Sequence, residues 1–370
     1  MTVAHIEGPD DLESEEMFMN HACGRTISTY PFLPGHTKRE GSPICDTFQY
    51  RLYSNRAILA VTDGCNWGIR PKMASRIANK TFVEYMEDHQ GSIHTVREAG
   101  HLLLRATSHA HTAIKEQAKE MNMECGSTTL FGGILLELSE RVTFDEFEED
   151  TNWVFVCVNV GDCKAFCIRN EEREVIEISI GNRTSSTDAS DPGGRLGANG
   201  KPDLRNLELF CFPCRENDIL IVCSDGVFDN LDPQPQGILP RDLGINVDDW
   251  EDEKLDPRVT ELLFSKFRLQ FLKTLLFEDD PHSKRLSTRY IVQKLLYNSL
   301  ITTRSSRKYM RENPGQRLPS NYEMYPGKMD HTTALAVTVG SIAQQEVNEM
   351  DHSLPITKQW GQSSDRNQLF

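Results

Sequence analysis

A chain of 370 residues can form one large domain or two of ordinary size, and its apolar content of 38% implies that loops or tails take a share. The formal net charge of −15 argues against nucleic acid or an anionic membrane as the main partner, because either would need a basic face. No apolar stretch reaches the roughly 18 residues that cross a bilayer, and the acidic N-terminus is not a secretory signal. We therefore expect a soluble protein that favours cations and basic peptides.

The first half of the chain predicts two strands followed by two long helices. Residues 1–20 are acidic and lack apolar periodicity, which predicts a loose arm. Alternating apolar residues predict an edge strand at 47–53 that pairs with a deep strand at 56–62. Apolar residues at helical spacing then predict helices at 72–88 and 93–122.

The second half predicts further strands and a helical section. The strands are predicted at 127–138, 153–160, 165–168, 175–178, 207–212 and 218–223. Residues 181–201 have the composition of a loop. Residues 232–329 are predicted to be a helical insertion, with helices at 258–277 and 287–304, and residues 344–370 a polar, disordered tail.

Most of the ten cysteines lie in or beside apolar, strand-like runs, where a free thiol serves as a small apolar side chain. This pattern favours a reducing compartment, and we expect a cytoplasmic or nuclear protein. Cys211 and Cys214 form a C-x-x-C pair, but no second pair completes a zinc site. Structural zinc or redox chemistry at this pair is the minor alternative.

Aspartates stand at the ends of three apolar runs. Asp63 and Asp225 each follow such a run, and Asp330 precedes one. A carboxylate at the end of a buried strand needs a compensating cation, a basic partner or a helix N-terminus, and no Lys or Arg lies near Asp225 in the sequence. The pattern predicts a divalent metal site, although any one Asp-Gly by itself is more typical of a turn.

The order and spacing of five motifs resemble the metal-dependent Ser/Thr protein phosphatases of the PP2C (PPM) family over residues 21–343. These motifs are Val61-Thr62-Asp63-Gly64, Cys125-Gly126-Ser127-Thr128-Thr129, Val158-Asn159-Val160-Gly161-Asp162-Cys163-Lys164-Ala165, Cys223-Ser224-Asp225-Gly226-Val227-Phe228-Asp229 and Asp330-His331-Thr332-Thr333. The resemblance implies an α+β fold, the four-layer αββα sandwich of two packed antiparallel sheets flanked by helices.

The resemblance also implies a metal site and a reaction. Asp63 would bridge two Mg²⁺ or Mn²⁺ ions with the Gly64 carbonyl as a further ligand, and Asp225 and Asp330 would hold one ion. Asp46 matches the acidic position of the family's first motif, and Asp162 resembles the ligand of a third, weaker ion. Hard oxygen ligands suit these ions, and such a pair activates water for direct attack on phosphorus. The implied activity is hydrolysis of phosphoserine and phosphothreonine in phosphoprotein substrates by a monomer, with Asp63, Asp225 and Asp330 as the catalytic carboxylates.

The chain departs from the family pattern at several positions. Cys65 stands where many members have a histidine that is a candidate acid for the leaving group. Lys38 and Arg39 lie slightly too early to match the phosphate-binding arginine, and His331 follows Asp330 where asparagine is usual. These departures leave open a catalytically silent member of the same fold that binds proteins through residues 232–329. A two-metal nuclease is disfavoured by the acidic charge.

Overall fold

The computed structural model describes residues 4–8, 14–18, 21–144, 149–179, 183, 185, 187, 188, 190–197, 201–278 and 285–341. In chain order, its strands are β1 (Ala4–Gly8), β2 (Ser14–Phe18), β3 (Ala22–Ser28), β4 (Thr47–Tyr53), β5 (Arg56–Thr62), β6 (Ser127–Thr128), β7 (Leu130–Phe144), β8 (Glu149–Val160), β9 (Lys164–Arg169), β10 (Glu174–Glu177), β11 (Leu196–Gly197), β12 (Glu208–Cys214), β13 (Ile219–Cys223) and β14 (His331–Thr338). Its helices are α1 (Ile69–His89), α2 (Val96–Glu120), α3 (Asp225–Phe228), α4 (Pro257–Phe277), α5 (Thr288–Thr302) and α6 (Arg304–Glu312).

Most of the strands form two six-stranded sheets in which every pair of neighbours is antiparallel. The first sheet has the order β1-β4-β5-β7-β8-β12, and the second has the order β10-β9-β13-β14-β3-β2. The run of apolar residues in β13 is buried throughout because this strand lies in the interior of the second sheet.

Three apolar clusters separate four layers. Phe48, Phe131 and Leu220 belong to the cluster between the two sheets. Helices α1 and α2 cover the outer face of the first sheet, and α4 and α5 cover the outer face of the second. The predicted αββα sandwich is therefore confirmed.

Local sequence explains how the helices begin and how closely they pack. A capping box between Thr95 and Glu98 begins α2, and Asp256 caps α4, which starts at Pro257. Gly132 in β7 lets the buried ring of Phe82 in α1 lie directly against the first sheet, since an added Cβ would be 2.2 Å from that ring.

The structure differs from the predicted organisation in two places. The prediction of a loose arm at residues 1–20 is wrong for the described residues 4–8 and 14–18. Strand β1 pairs with β4 at the edge of the first sheet, and β2 pairs with β3 at the edge of the second. Strand β4 is therefore not an edge strand. Edge strands are held by backbone hydrogen bonds, so a polar segment without apolar periodicity can still form one.

Helices α4 and α5, which lie within the predicted insertion at 232–329, form the outer layer on the second sheet. The predicted disordered tail at 344–370 lies outside the described residues. Within the described ranges, no helix combines the length and apolar character needed to span a bilayer.

Candidate active site

The sheet registers bring the predicted aspartates to one end of the sandwich. Thr47 pairs with Thr62 across β4 and β5, so Asp46 and Asp63 leave the first sheet side by side. Cys223 pairs with Ala334 across β13 and β14, so Asp225 and Asp330 leave the second sheet at the same end. Asp162 lies in the turn between β8 and β9. The structure thus places together the residues that the sequence selected.

Asp46 links the two sheets. It is 1% exposed, and its Oδ2 accepts hydrogen bonds of 2.8 Å from the hydroxyls of Ser224 and Thr333 in the second sheet. Among the described residues, its Oδ1 has no hydrogen-bond partner. Burial raises the pKa of this carboxyl above its usual range, and the charge of Asp225 raises it further.

Asp63 is oriented by the predicted motif at 125–129. Its N–H donates to Thr129 Oγ1 at 3.0 Å, and its carbonyl accepts from Thr128 Oγ1 and from the Thr129 N–H, both at 2.8 Å. Burial raises the pKa of the Asp63 carboxyl well above its usual range, and the nearby charges of Asp46 and Asp225 raise it further. Both carboxyls of the first sheet therefore resist ionisation unless a cation compensates the charge that ionisation would bring.

Gly64 is required by close packing beside Asp63. A Cβ at this position would lie 2.6 Å from the Pro71 carbonyl oxygen. Gly126 is required in the same way, since its Cβ would lie 2.1 Å from the carbonyl oxygen of Arg70. These contacts fix the start of α1 against the strand ends that carry the aspartates.

Two basic side chains enter the carboxylate cluster from the second-sheet side. Lys328 Nζ lies 2.9 Å from Asp229, 3.0 Å from Asp330 and in contact with Asp225. The Arg183 guanidinium lies 2.8 Å from Asp162, 2.7 Å from Asp229 and 3.2 Å from Asp225. Asp225 has no Lys or Arg near it in the sequence, but the fold brings these two cations to it.

The sequence carried a signal for one of these cations and none for the other. Lys328 stands two residues before Asp330, so a search around every aspartate would have found it. Arg183 lies in a polar loop remote in sequence from each of its partners. Asp229, the second aspartate of the strand-end motif at 223–229, also belongs to the cluster.

The oxygen donors of the cluster fit a hard divalent cation. The aspartates of the first sheet differ from those of the second in whether a side-chain cation already contacts them. Carboxylates and the Gly64 carbonyl are the ligands such ions prefer, and Asp46 Oδ1 and Asp225 Oδ1 are buried oxygens without a hydrogen-bond partner among the described residues. As the side chains lie, however, no three His, Cys, Asp or Glu groups in the described ranges stand in an arrangement that could hold a metal ion. Lys328 already occupies the carboxylates of Asp225 and Asp330, whereas the described residues place no Lys or Arg on Asp46 or Asp63.

A cleft of about 230 Å³ opens above the cluster. Trp67, half exposed, and Tyr30 form one wall, where their rings pack edge to face and the Trp67 N–H donates to the Tyr30 hydroxyl. Arg195 and Lys328 are the cations of the described lining. The lining among the described residues is Tyr30, Asp63, Gly64, Cys65, Asn66, Trp67, Thr129, Asp162, Ser190, Pro192, Arg195, Asp225, Lys328, Asp330 and His331.

The residues that depart from the family pattern have clear positions. Cys65 lines the cleft beside Asp63, and burial raises the pKa of its thiol to about 11. His331 is a buried spacer whose Nδ1 accepts from the Cys45 N–H at 3.3 Å. Arg39 donates to the Tyr30 carbonyl and stacks on Phe32, and it is not among the described residues that line the cleft.

The C-x-x-C pair does not form a site. Cys214 is buried between the sheets and Cys211 is exposed, because residues three apart in a strand face opposite sides. The described cysteines are free thiols.

Comparison with known proteins identifies the family of the chain. The family model for protein phosphatase 2C matches residues 35–242, more than half of the chain. The chain belongs to the protein phosphatase 2C family.

Individual relatives are distant. The chain is 28% identical over 233 residues to the PP2C-like domain-containing protein CG9801 of Drosophila melanogaster, a match that covers 60% of this chain and 31% of that protein. The chain thus spans about a third of the length of this curated relative. A phosphatase structure from Toxoplasma gondii aligns with a TM-score of 0.51 at 12% identity, covering 86% of this chain and 93% of the other. The Mycobacterium tuberculosis serine/threonine phosphatase PstP aligns with a TM-score of 0.46 at 14% identity, covering 86% and 98%.

Proposed function

We propose that this chain is a metal-dependent phosphatase that hydrolyses phosphoserine and phosphothreonine in proteins. The observation that supports it most strongly is the meeting of Asp46 and Asp63 from the first sheet with Asp225 and Asp330 from the second, beneath an open cleft. Burying so many carboxylates together is costly unless cations compensate them.

Asp46, Asp63, the Gly64 carbonyl, Asp225 and Asp330 would hold two Mg²⁺ or Mn²⁺ ions. Bound there, such ions would activate a water molecule and offset the negative charge of the phosphoryl group. Asp162 was expected to help hold a third, weaker ion. Because Arg183 already donates to Asp162 from both Nε and Nη2, we propose that this guanidinium compensates the charge there.

The remaining residues of the cleft would bind and orient the substrate. Arg195 is placed to contact phosphoryl oxygens, a role that neither Lys38 nor Arg39 is placed to take. Tyr30 and Trp67 offer an aromatic wall to the peptide on either side of the phosphorylated residue. The Cys65 thiol holds its proton tightly, so this position offers only a weak acid to the leaving group.

The chain's acidity suggests which phosphoproteins it meets. A net charge of −15 favours substrates with basic residues near the phosphorylated side chain. We further propose that the protein acts as a monomer in the cytoplasm or nucleus, consistent with its free thiols.

A second candidate function is a catalytically silent module that binds a protein partner. Lys328 and Arg183 favour it, because side-chain cations already offset part of the carboxylate charge that a metal would otherwise neutralise.

Hydrolysis of p-nitrophenyl phosphate with Mn²⁺, Mg²⁺ or EDTA separates the two candidates. The phosphatase proposal predicts turnover with either metal and none in EDTA. It also predicts that Asp46→Asn loses most of this turnover, whereas Asp248→Asn, a change at an exposed aspartate, keeps it. Equal release of product with metal and with EDTA would contradict the proposal.

A further inference from the structure

We propose that Lys328 is an internal counter-cation that competes with a divalent ion for Asp225 and Asp330. The identity of the ion rests on the function proposed above. The competition itself follows from the positions of the charges.

The ammonium group of Lys328 lies where a metal ion would have to bind. It contacts Asp225, Asp229 and Asp330 at once, and the Lys328 side chain is only 17% exposed. An ammonium and a divalent ion on the same carboxylates repel each other, and in a half-buried site water screens that repulsion poorly. Metal entry therefore requires the Nζ atom to leave.

The backbone of Lys328 is clamped, so only its side chain needs to move. The Lys328 N–H donates to Asn230 Oδ1 at 3.0 Å, and its carbonyl accepts from Asn230 Nδ2 at 2.9 Å. The preceding Gly327 has a φ of +87°, and its N–H donates to the Pro235 carbonyl at 2.7 Å. A Cβ on Gly327 would lie 2.8 Å from Thr303, which fixes the approach to Lys328 further.

The Lys328 side chain has open space beside it. Lys328 lines the open cleft, so rotation about its side-chain bonds carries the ammonium away from the carboxylates and towards solvent. Arg183 differs, because its guanidinium is 5% exposed and stacks over Phe228. Lys328 is therefore the displaceable cation and Arg183 the fixed one.

The structure thus assigns Lys328 a positioning role that precedes catalysis. Without metal, Lys328 holds the second-sheet aspartates together. Metal binding must displace its ammonium group, and this displacement consumes part of the free energy of metal binding. The protein would bind Mn²⁺ weakly for the number of carboxylates it carries.

Direct Mn²⁺ titration by calorimetry, with free Mn²⁺ followed by electron paramagnetic resonance, tests this inference without any substrate. We expect Lys328→Met to bind Mn²⁺ roughly ten-fold or more tightly than wild type, because a competing charge is removed. Lys328→Gln keeps a hydrogen-bond donor without the charge and should behave likewise. Lys308→Met, at an exposed lysine of α6, is the matched control and should titrate as wild type.

Melting temperature gives a second readout. In EDTA, Lys328→Met should melt below wild type, since buried carboxylates lose their partner, and Mn²⁺ should raise its melting temperature more than that of wild type. If Lys328→Met does not fold without metal, Lys328→Gln supplies the same comparison.

Unchanged Mn²⁺ affinity in both Lys328 variants, or no Mn²⁺ binding by any of the proteins, would overturn the inference. Tighter Mn²⁺ binding by the variants, with no phosphate hydrolysis by any of them, would uphold the inference and refute the proposed phosphatase activity.

Discussion

Lys328 Nζ and Asp330 Oδ2 lie 3.0 Å apart, so a lysine neutralises a candidate metal ligand only two residues along the chain. The same ammonium reaches Asp229 and Asp225. An internal cation of the chain thus lies against the proposed metal ligands of the second sheet.

Arg195 is predicted to contribute to phosphate binding. Arg195→Ala should raise KM for a phosphopeptide roughly ten-fold or more, because a charge-assisted contact with phosphate is lost. Arg317→Ala, at an exposed arginine, should leave steady-state kinetics unchanged. Equal KM values for the two variants would refute this role.

The buried ion-pair network around Arg268 is predicted to be essential for stability. Arg268 is 1% exposed, and its guanidinium lies 2.7 Å from Asp232 and 2.8 Å from Glu177. Arg268→Met should lower the free energy of unfolding by about 3–5 kcal/mol, because it leaves the buried Asp232 carboxylate without its cation, whereas Glu177 keeps Lys164. Urea denaturation measures the change, and Arg258→Met on the exposed face of α4 is the control. A stability equal to that of the control would show that the network contributes nothing.

Replacement by alanine should have opposite effects on stability at two glycines. At Gly132 an added Cβ would lie 2.2 Å from the ring of Phe82, so Gly132→Ala should cost about 1–3 kcal/mol of stability. At Gly100 in α2, the nearest atom to the new Cβ is Leu209 Cδ1 at 3.8 Å. Gly100→Ala should therefore stabilise the protein by about 0.5–1 kcal/mol, since alanine favours helix. Thermal melts that rank the two variants in the reverse order would contradict the packing described here.

Asp218 is predicted to make stability depend on pH. Burial raises the pKa of its carboxyl from the ordinary 3.8 to about 6, so the folded state binds this proton more tightly than the unfolded chain. The stability that this bound proton contributes to the folded state is fully present below the unfolded pKa of 3.8. It is lost as the pH rises through the folded pKa of about 6. The loss amounts to roughly 3 kcal/mol at most.

Asp218→Asn should remove this dependence while keeping an acceptor for the Arg215 N–H. The variant's free energy of unfolding relative to wild type should rise with pH and level off above the folded pKa of about 6. Urea denaturation over this range measures it. If the difference in free energy of unfolding between Asp218→Asn and wild type stays constant with pH, the Asp218 carboxyl has no raised pKa.

Local sequence was sufficient to predict the central strands and the aspartates at their ends. A buried apolar run followed by a carboxylate, as at Asp63 and Asp225, is a pattern that depends only on neighbouring residues. The strand β1 was missed because an edge strand is fixed by pairing with β4 rather than by its own side chains. Arg183 could not be predicted, because the loop that carries it meets Asp162 and Asp229 only in the folded chain.

The most direct test of the central claim is phosphate release from a phosphothreonine peptide by wild type and by Asp63→Asn, each with Mn²⁺. The account predicts turnover by wild type and a loss of roughly a hundred-fold or more in Asp63→Asn, with its circular dichroism unchanged, because Asp63 is the proposed bridging ligand. Equal rates for the two proteins, or a wild-type rate that persists in EDTA, would contradict it.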